Sequence, residues 1–209
     1  MALRHAIHGR RRDARGFTLM ELLVVLSIFS MVVTTATDIF LLTNRSQRKI
    51  FGLERTQADA RYTLEAIARE VRTGSIDYAY YAGRGTPLGT PDAELALIDA
   101  TNSPLKFKVS DASNQGLCAD ANSRPCLLVT VGANSPSAIT PKNVAVRTAK
   151  FYVGPTVDPM SFSVVTGSYA SSVQPHVTIV LVLESRGDRA GEQSVVYLQT
   201  TATSRGYKR

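Results

Sequence analysis

A chain of 209 residues has room for one ordinary domain with additional elements, and an apolar content of 44% excludes wholesale disorder. The formal net charge is +7, but residues 1–16 hold Arg4, Arg10, Arg11, Arg12 and Arg15 against Asp13 alone, a net of +4 that leaves +3 for the rest. At that balance the chain beyond residue 16 carries no strong nucleic-acid footprint, and its basic character belongs to a leader segment rather than to a binding surface.

Residues 17–42 are apolar, with no charge between Leu22 and Thr37. As a helix they would extend about 39 Å at ~1.5 Å per residue, enough for a hydrocarbon core of about 30 Å. The arginine-rich leader predicts a cytoplasmic N-terminus and an external C-terminal bulk. Arg45, Arg48 and Lys49 beyond the span weaken that bias without reversing it. The run is longer than a secretory signal core and no Ala-x-Ala-like site follows it; a plain single-pass anchor is the simpler alternative. No proline precedes Pro87, so nothing forces the helix to stop at the membrane. Leu53, Gln57, Ala60, Leu64, Ile67 and Val71 continue a stripe at alternating steps of four and three. Glu65 and Arg69 are spaced to pair across one turn. Gly74 is the expected C-cap, which predicts a helix over 17–73, with 17–42 as its transmembrane half and 43–73 as its amphipathic half. That is about 85 Å at ~1.5 Å per residue. Gly52 is its one internal weak point.

After Gly74 the composition shifts to Gly, Pro, Ser, Thr and Asn, and residues 74–209 read as a globular β-rich domain. Strands are expected near 105–110, 127–131, 143–153, 160–166, 176–184 and 194–203. Arg186-Gly-Asp-Arg-Ala-Gly between the last two reads as a hairpin loop. Short connections predict a mainly antiparallel sheet on which the helix packs, an α+β fold. Cys118 and Cys126 are too few for a tetrahedral zinc site. Export behind a membrane segment favours a bridge between them, contributing about 2–3 kcal/mol, with two free thiols as the alternative.

Gly16-Phe17-Thr18-Leu19-x-Glu21-Leu22-Leu23-Val24 resembles the class III signal and first mature residues of type IV pilins and type II secretion pseudopilins. Gln57 to Arg72 is more weakly similar to minor pilins and pseudopilins of the PilW and J-type kind. The resemblance implies a pilin-like fold and removal of leader 1–16 by a prepilin peptidase. The peptidase would cut between Gly16 and Phe17 and methylate the new amine. It also implies assembly with other pilin or pseudopilin subunits, through an inner-membrane platform, into a pilus or secretion fibre. Glu21 would then be an assembly residue. A carboxylate in the hydrocarbon costs about 3 kcal/mol on insertion scales, and pairing with the N-terminal amine of a neighbour would fix register; the plain alternative is a carboxylate reaching the membrane edge alone. Many major pilins carry a kinking proline where this chain has Asp38, so a straight helix is expected.

Catalytic chemistry has little support. Beyond the leader His176 is the only histidine, which removes histidine-based triads and metal clusters from the mature chain. Gly83 to Gly89 lacks the Gly-Lys-Ser/Thr ending of a phosphate loop and reads as a plain loop. Tyr78, Tyr80 and Tyr81 read as an aromatic seal between helix and sheet. Asp111, Asn114, Asp120 and Asn122 bring oxygens around Cys118, but in no calcium-loop spacing. No cofactor, metal or small-molecule substrate is expected. A membrane-tethered module that captures a surface, a partner or DNA, using Lys142, Arg147 and Lys150, is the second reading.

Overall fold

The computed structural model describes residues 16–85, 87–118, 124–185 and 193–205. The leader to Arg15 and the expected hairpin loop at Arg186–Gly191 lie outside them. A single α-helix, α1 (Leu19–Thr73), opens the chain. Then follow β1 (Ser75–Ile76), the short helix α2 (Tyr78–Arg84), β2 (Glu94–Ile98), β3 (Pro104–Val109), β4 (Leu127–Val131) and β5 (Ser137–Ala138). The remaining strands are β6 (Val144–Gly154), β7 (Phe162–Ser163), β8 (Ser168–Tyr169), β9 (His176–Ser185) and β10 (Val195–Thr203). The chain divides into two compact units, residues 1–46 and 47–209, with the division falling inside α1.

In the first unit every described side chain but one is exposed: Asn44 is partly covered. The helix there is long and apolar enough to cross a membrane. Its polar side chains are satisfied internally. Ser27, Ser30, Thr34, Thr35 and Thr37 each donate a hydroxyl to the carbonyl four residues back, at 2.7–3.0 Å. This back-bonding leaves no hydroxyl between Leu22 and Thr37 in want of water.

In the second unit α1 packs on two antiparallel sheets. The first is a meander in the order β1-β2-β3-β4-β5; the second runs β10-β9-β6. Phe151 of β6 exchanges both backbone hydrogen bonds with Asp92, at 2.9 and 2.8 Å, just ahead of β2, and so fastens the second sheet to the first. The core draws Ile67 and Val71 from the helix, Leu97 and Phe107 from the first sheet, and Phe151 and Leu181 from the second. The α+β architecture with antiparallel sheets is as the sequence predicts.

Several local expectations are corrected. The buried face of α1 is Thr56, Ala60, Thr63, Ile67, Ala68 and Val71; Leu53 and Gln57 are exposed and Leu64 is only partly covered. Side-chain size governs the contact more than hydropathy does. Thr56 and Thr63 can be buried because their hydroxyls donate to Gly52 O and Asp59 O, at 2.8 and 2.9 Å. Glu65 pairs with Arg72 at 2.6 Å, not with Arg69. β2 was not expected, because Leu95, Ala96 and Leu97 are all buried and give no alternation to read. The expected strand 160–166 is the first half of a separate β7–β8 hairpin. The stretch 83–89 starts inside α2, which ends at Gly85 in the left-handed conformation (φ 65°).

Gly74 ends α1 for a different reason than a left-handed cap, since it is not among the positive-φ glycines. A Cβ on it would lie 2.5 Å from Ile98 O and 3.0 Å from Glu70 O, so only glycine lets β1 pair with β2 directly behind the helix. The helix end is satisfied by the last strand. Arg205 N–H donates to Arg72 O at 3.0 Å, and the Ser204 hydroxyl donates to Gly74 O. Gly52, by contrast, has open space where a Cβ would stand. Gly74→Ala should therefore destabilise the chain by roughly 1–3 kcal/mol through backbone displacement, while Gly52→Ala should stabilise it by about 0.5–1 kcal/mol. Chemical denaturation of the two variants should give midpoint shifts of opposite sign; shifts of the same sign would contradict this account of the helix end.

Candidate functional site

The start of α1 is built from four consecutive features. Gly16 and Phe17 are exposed and lie outside the helix. Thr18 caps it: its Oγ1 accepts the Glu21 N–H at 3.2 Å and its carbonyl accepts the Leu22 N–H at 3.2 Å. Glu21 is thereby the third residue of the helix, and Thr18-x-x-Glu21 has the spacing of a capping box. An acidic group in this first turn is favoured by the exposed N–H groups and the positive end of the helix dipole. The Gly16–Phe17 bond sits in exposed, non-helical backbone, the kind of segment a peptidase can engage. Thr18 was missed as a site residue in the sequence, although Thr-x-x-Glu ahead of an apolar run is the signal that would have found it.

Among the described residues Glu21 is exposed and has no ion-pair partner. Asp38 lies within the same continuous helix and is also exposed. The helix passes through it without interruption.

The other sequence candidates fall elsewhere. Cys118 and Cys126 are joined in a disulfide, with Cα atoms 5.6 Å apart. Both are buried with Leu128 in a small cluster separate from the main core. Ser110 supports the bridge, accepting the Cys126 N–H on its hydroxyl at 3.0 Å and donating its own N–H to Cys126 O at 2.8 Å. Tyr81 is buried, and its hydroxyl accepts the Ala96 N–H at 2.9 Å; burial pushes its phenol well above the ordinary value. Tyr80 lies on the half-exposed side, with Lys106 Nζ 4.0 Å from its ring centre. The tyrosines therefore split between sealing β2 and stacking on a cation.

Asp111 accepts hydrogen bonds from Ser113 and from Lys108 Nζ, the latter at 3.1 Å, and these pull its carboxyl down to about 2. Asp120 and Asn122 lie outside the described residues, and no cluster of three metal-ligating acids, histidines or cysteines occurs among the described ones. His176 opens β9 with its ring against Gly154. Of the three basic residues proposed for a binding patch, Lys142 and Lys150 are exposed, but Arg147 is held by Glu184 at 2.6 Å.

Residues 11–37 match the family model of the prokaryotic N-terminal methylation motif. Over these residues the chain is similar to the N-terminus of type IV pilin-like precursors. The match covers the end of the leader, the Gly16–Phe17 bond, the Thr18 cap, Glu21 and the hydroxyl-bearing half of the span. The motif and the apolar helix it opens point to a membrane anchor. No curated protein and no solved structure gave a match to the chain.

Removing the Thr18 hydroxyl should cost about 1 kcal/mol of local helix stability. In the full chain held in micelles, Thr18→Ala should speed amide exchange at Glu21 and Leu22 roughly fivefold, the factor for that energy. Unchanged exchange would mean that Thr18 is not the cap.

Proposed function

We propose that the chain is a minor pilin or pseudopilin subunit, nearest in kind to the PilW and J-type members. It would be assembled through α1 into a type IV pilus or a type II secretion-like fibre. In this reading a prepilin peptidase cuts between Gly16 and Phe17, methylates the Phe17 amine, and leaves residues 17–42 in the inner membrane. The leader faces the cytoplasm, the β-rich unit stands outside, and the assembly platform later lifts the subunit into a fibre beside other pilins.

The observation that carries the proposal is the join at the helix start. The motif bond is exposed, and the helix is capped one residue beyond the would-be new terminus. The apolar segment behind it is bare along its length. Cutting at Gly16–Phe17 removes the leader's +4 charge and exposes an amine two residues ahead of the first helical residue. The new amine and Glu21 are opposite in sign and bracket the cap. Within the chain Glu21 is exposed and has no ion-pair partner among the described residues. Between subunits packed side by side, a carboxylate of one and an amine of the next can pair away from water. Register follows from the cost of failure. Breaking a buried pair by removing one member costs about 3–5 kcal/mol, so a subunit one step out of register would be rejected.

A tethered binding module remains the second reading, but Arg147, one of its three basic residues, is already neutralised by Glu184. Assembly is the reading the helix start favours.

Glu21→Ala should leave cleavage and membrane insertion intact. It should cut recovery of the subunit in the sheared fibre fraction roughly a hundredfold or more, the factor for a lost buried pair. Wild-type recovery of the variant in fibres would remove Glu21 from the assembly mechanism.

A further inference from the structure

Tyr78 is the first residue of α2, placed there by the turn that follows β1. Its Oη is buried and has no hydrogen-bond partner among the described residues. A buried hydroxyl left unpaired is costly, and Tyr78 lines a cavity of about 260 Å³. Ile76, Met160 and Pro175 form the apolar part of that lining, and Ser75 and Asp158 join Tyr78 in the polar part. Asp158 is the one charged residue among them. Its Oδ1 accepts the Met160 N–H at 2.9 Å, which holds the carboxylate in place. It forms no ion pair among the described residues. Burial first, and then the negative charge of Asp158, hold the Tyr78 phenol well above its ordinary value, so hydroxyl and carboxylate lie within electrostatic reach of each other. The end of α1 has the same sign. Ser75 stands two residues beyond Thr73, the last of the helix, and a helix C-terminus favours cations.

We propose that this cavity binds an organic cation: an alkylammonium or guanidinium head on a short apolar stem, the group that ends a lysine or arginine side chain. The lining selects it by sign, by hydrogen bonding and by size. An anion would meet Asp158 and the end of α1. A neutral apolar group would leave the Asp158 carboxylate and the Tyr78 hydroxyl unpaired. An ammonium has three donors, and Asp158, Tyr78 and Ser75 each offer an oxygen. The stem of such a group packs on apolar surface while its head stays with polar partners, and Ile76, Met160 and Pro175 supply that surface. Sites for drug-sized ligands run to about 300–1,000 Å³; this one is smaller and suits a single side-chain-sized group. One carboxylate is too few for calcium, which takes about six to eight oxygen ligands. The site stands whether or not the chain joins a fibre, and a partner protein's basic side chain and a free amine carry the same head group.

Met160 lines the cavity, whereas Met20 and Met31 lie in the apolar part of α1, so methionine methyl groups report on the site with internal controls. The full-length chain, carbon-13 labelled at those methyls and held in uncharged micelles, is titrated with n-butylammonium, n-butylguanidinium, n-butanol and butyrate. The expected result is a saturable shift of the Met160 resonance with the two cations alone, while Met20 and Met31 stay in place. Asp158→Asn keeps an acceptor for the Met160 N–H. It should weaken the response roughly tenfold or more, the factor for a hydrogen bond to a charged group, and Tyr78→Phe should weaken it less. No response to either cation, or an equal response to butanol, overturns the proposal in the unaltered chain, whatever the variants do. Undiminished binding by Asp158→Asn overturns it as well. A capped peptide with one lysine among glycines separates the sources. Binding of that peptide supports a partner's side chain, and its exclusion while butylammonium binds supports a free amine. Lys208→Gln with Arg209→Gln forms the last arm. If that double change moves the Met160 resonance with no cation added, the chain supplies its own cation and the proposal of an outside ligand falls.

Discussion

Residues 19–42 form an apolar helix that the rest of their own unit leaves bare, and much of the molecule follows from that. Apolar surface left in water costs about 25 cal/mol per Å², so this segment needs lipid or other helices around it. Its hydroxyls place no further demand on either environment, because each bonds to its own backbone. Glu21 is different. No described residue forms an ion pair with its carboxylate. Asp38, the other carboxylate of this segment, is likewise exposed and without an ion-pair partner among the described residues.

The second unit solves a separate problem, which is how to press two sheets against one helix. It does so with small or self-satisfied side chains, Ala60, Ala68, Thr56 and Thr63, rather than with a leucine seam. At Thr73 the helix stops against β1 and β2, where Gly74 leaves room for the Ile98 carbonyl, and the residues after β10 close the helix's open carbonyls. The chain's last described residues thus bind the end of its longest element. The disulfide holds a satellite cluster under Leu128 rather than the main core.

What could be read in the sequence follows the strength of each local signal. The apolar run and the Gly16–Glu21 motif were legible because lipid solubility and a short peptide motif are both local properties. The long strands β6, β9 and β10 were legible from β-branched residues in sequence. β2 was not, since burial of three successive residues in Glu94–Ile98 erases the period-two pattern that marks a strand. The helix stripe was placed on Leu53 and Gln57 because hydropathy ignores the option of burying threonine through an i−4 hydrogen bond. Gly74 was read as a cap, because sequence shows that a glycine follows a helix and not which carbonyl passes behind it. The β7–β8 turn had a signal, Thr166-Gly167, which was outweighed by the valines before it. Thr18 was legible and overlooked.

The central claim, that this is a pilin-type precursor whose mature chain starts one residue ahead of a capped helix, is tested most directly by the intact mass of the protein extracted from membranes. The predicted mass is that of residues 17–209 with one added methyl group and the Cys118–Cys126 bond formed. A chain that retains Met1, or one cut at any bond other than Gly16–Phe17, would contradict it.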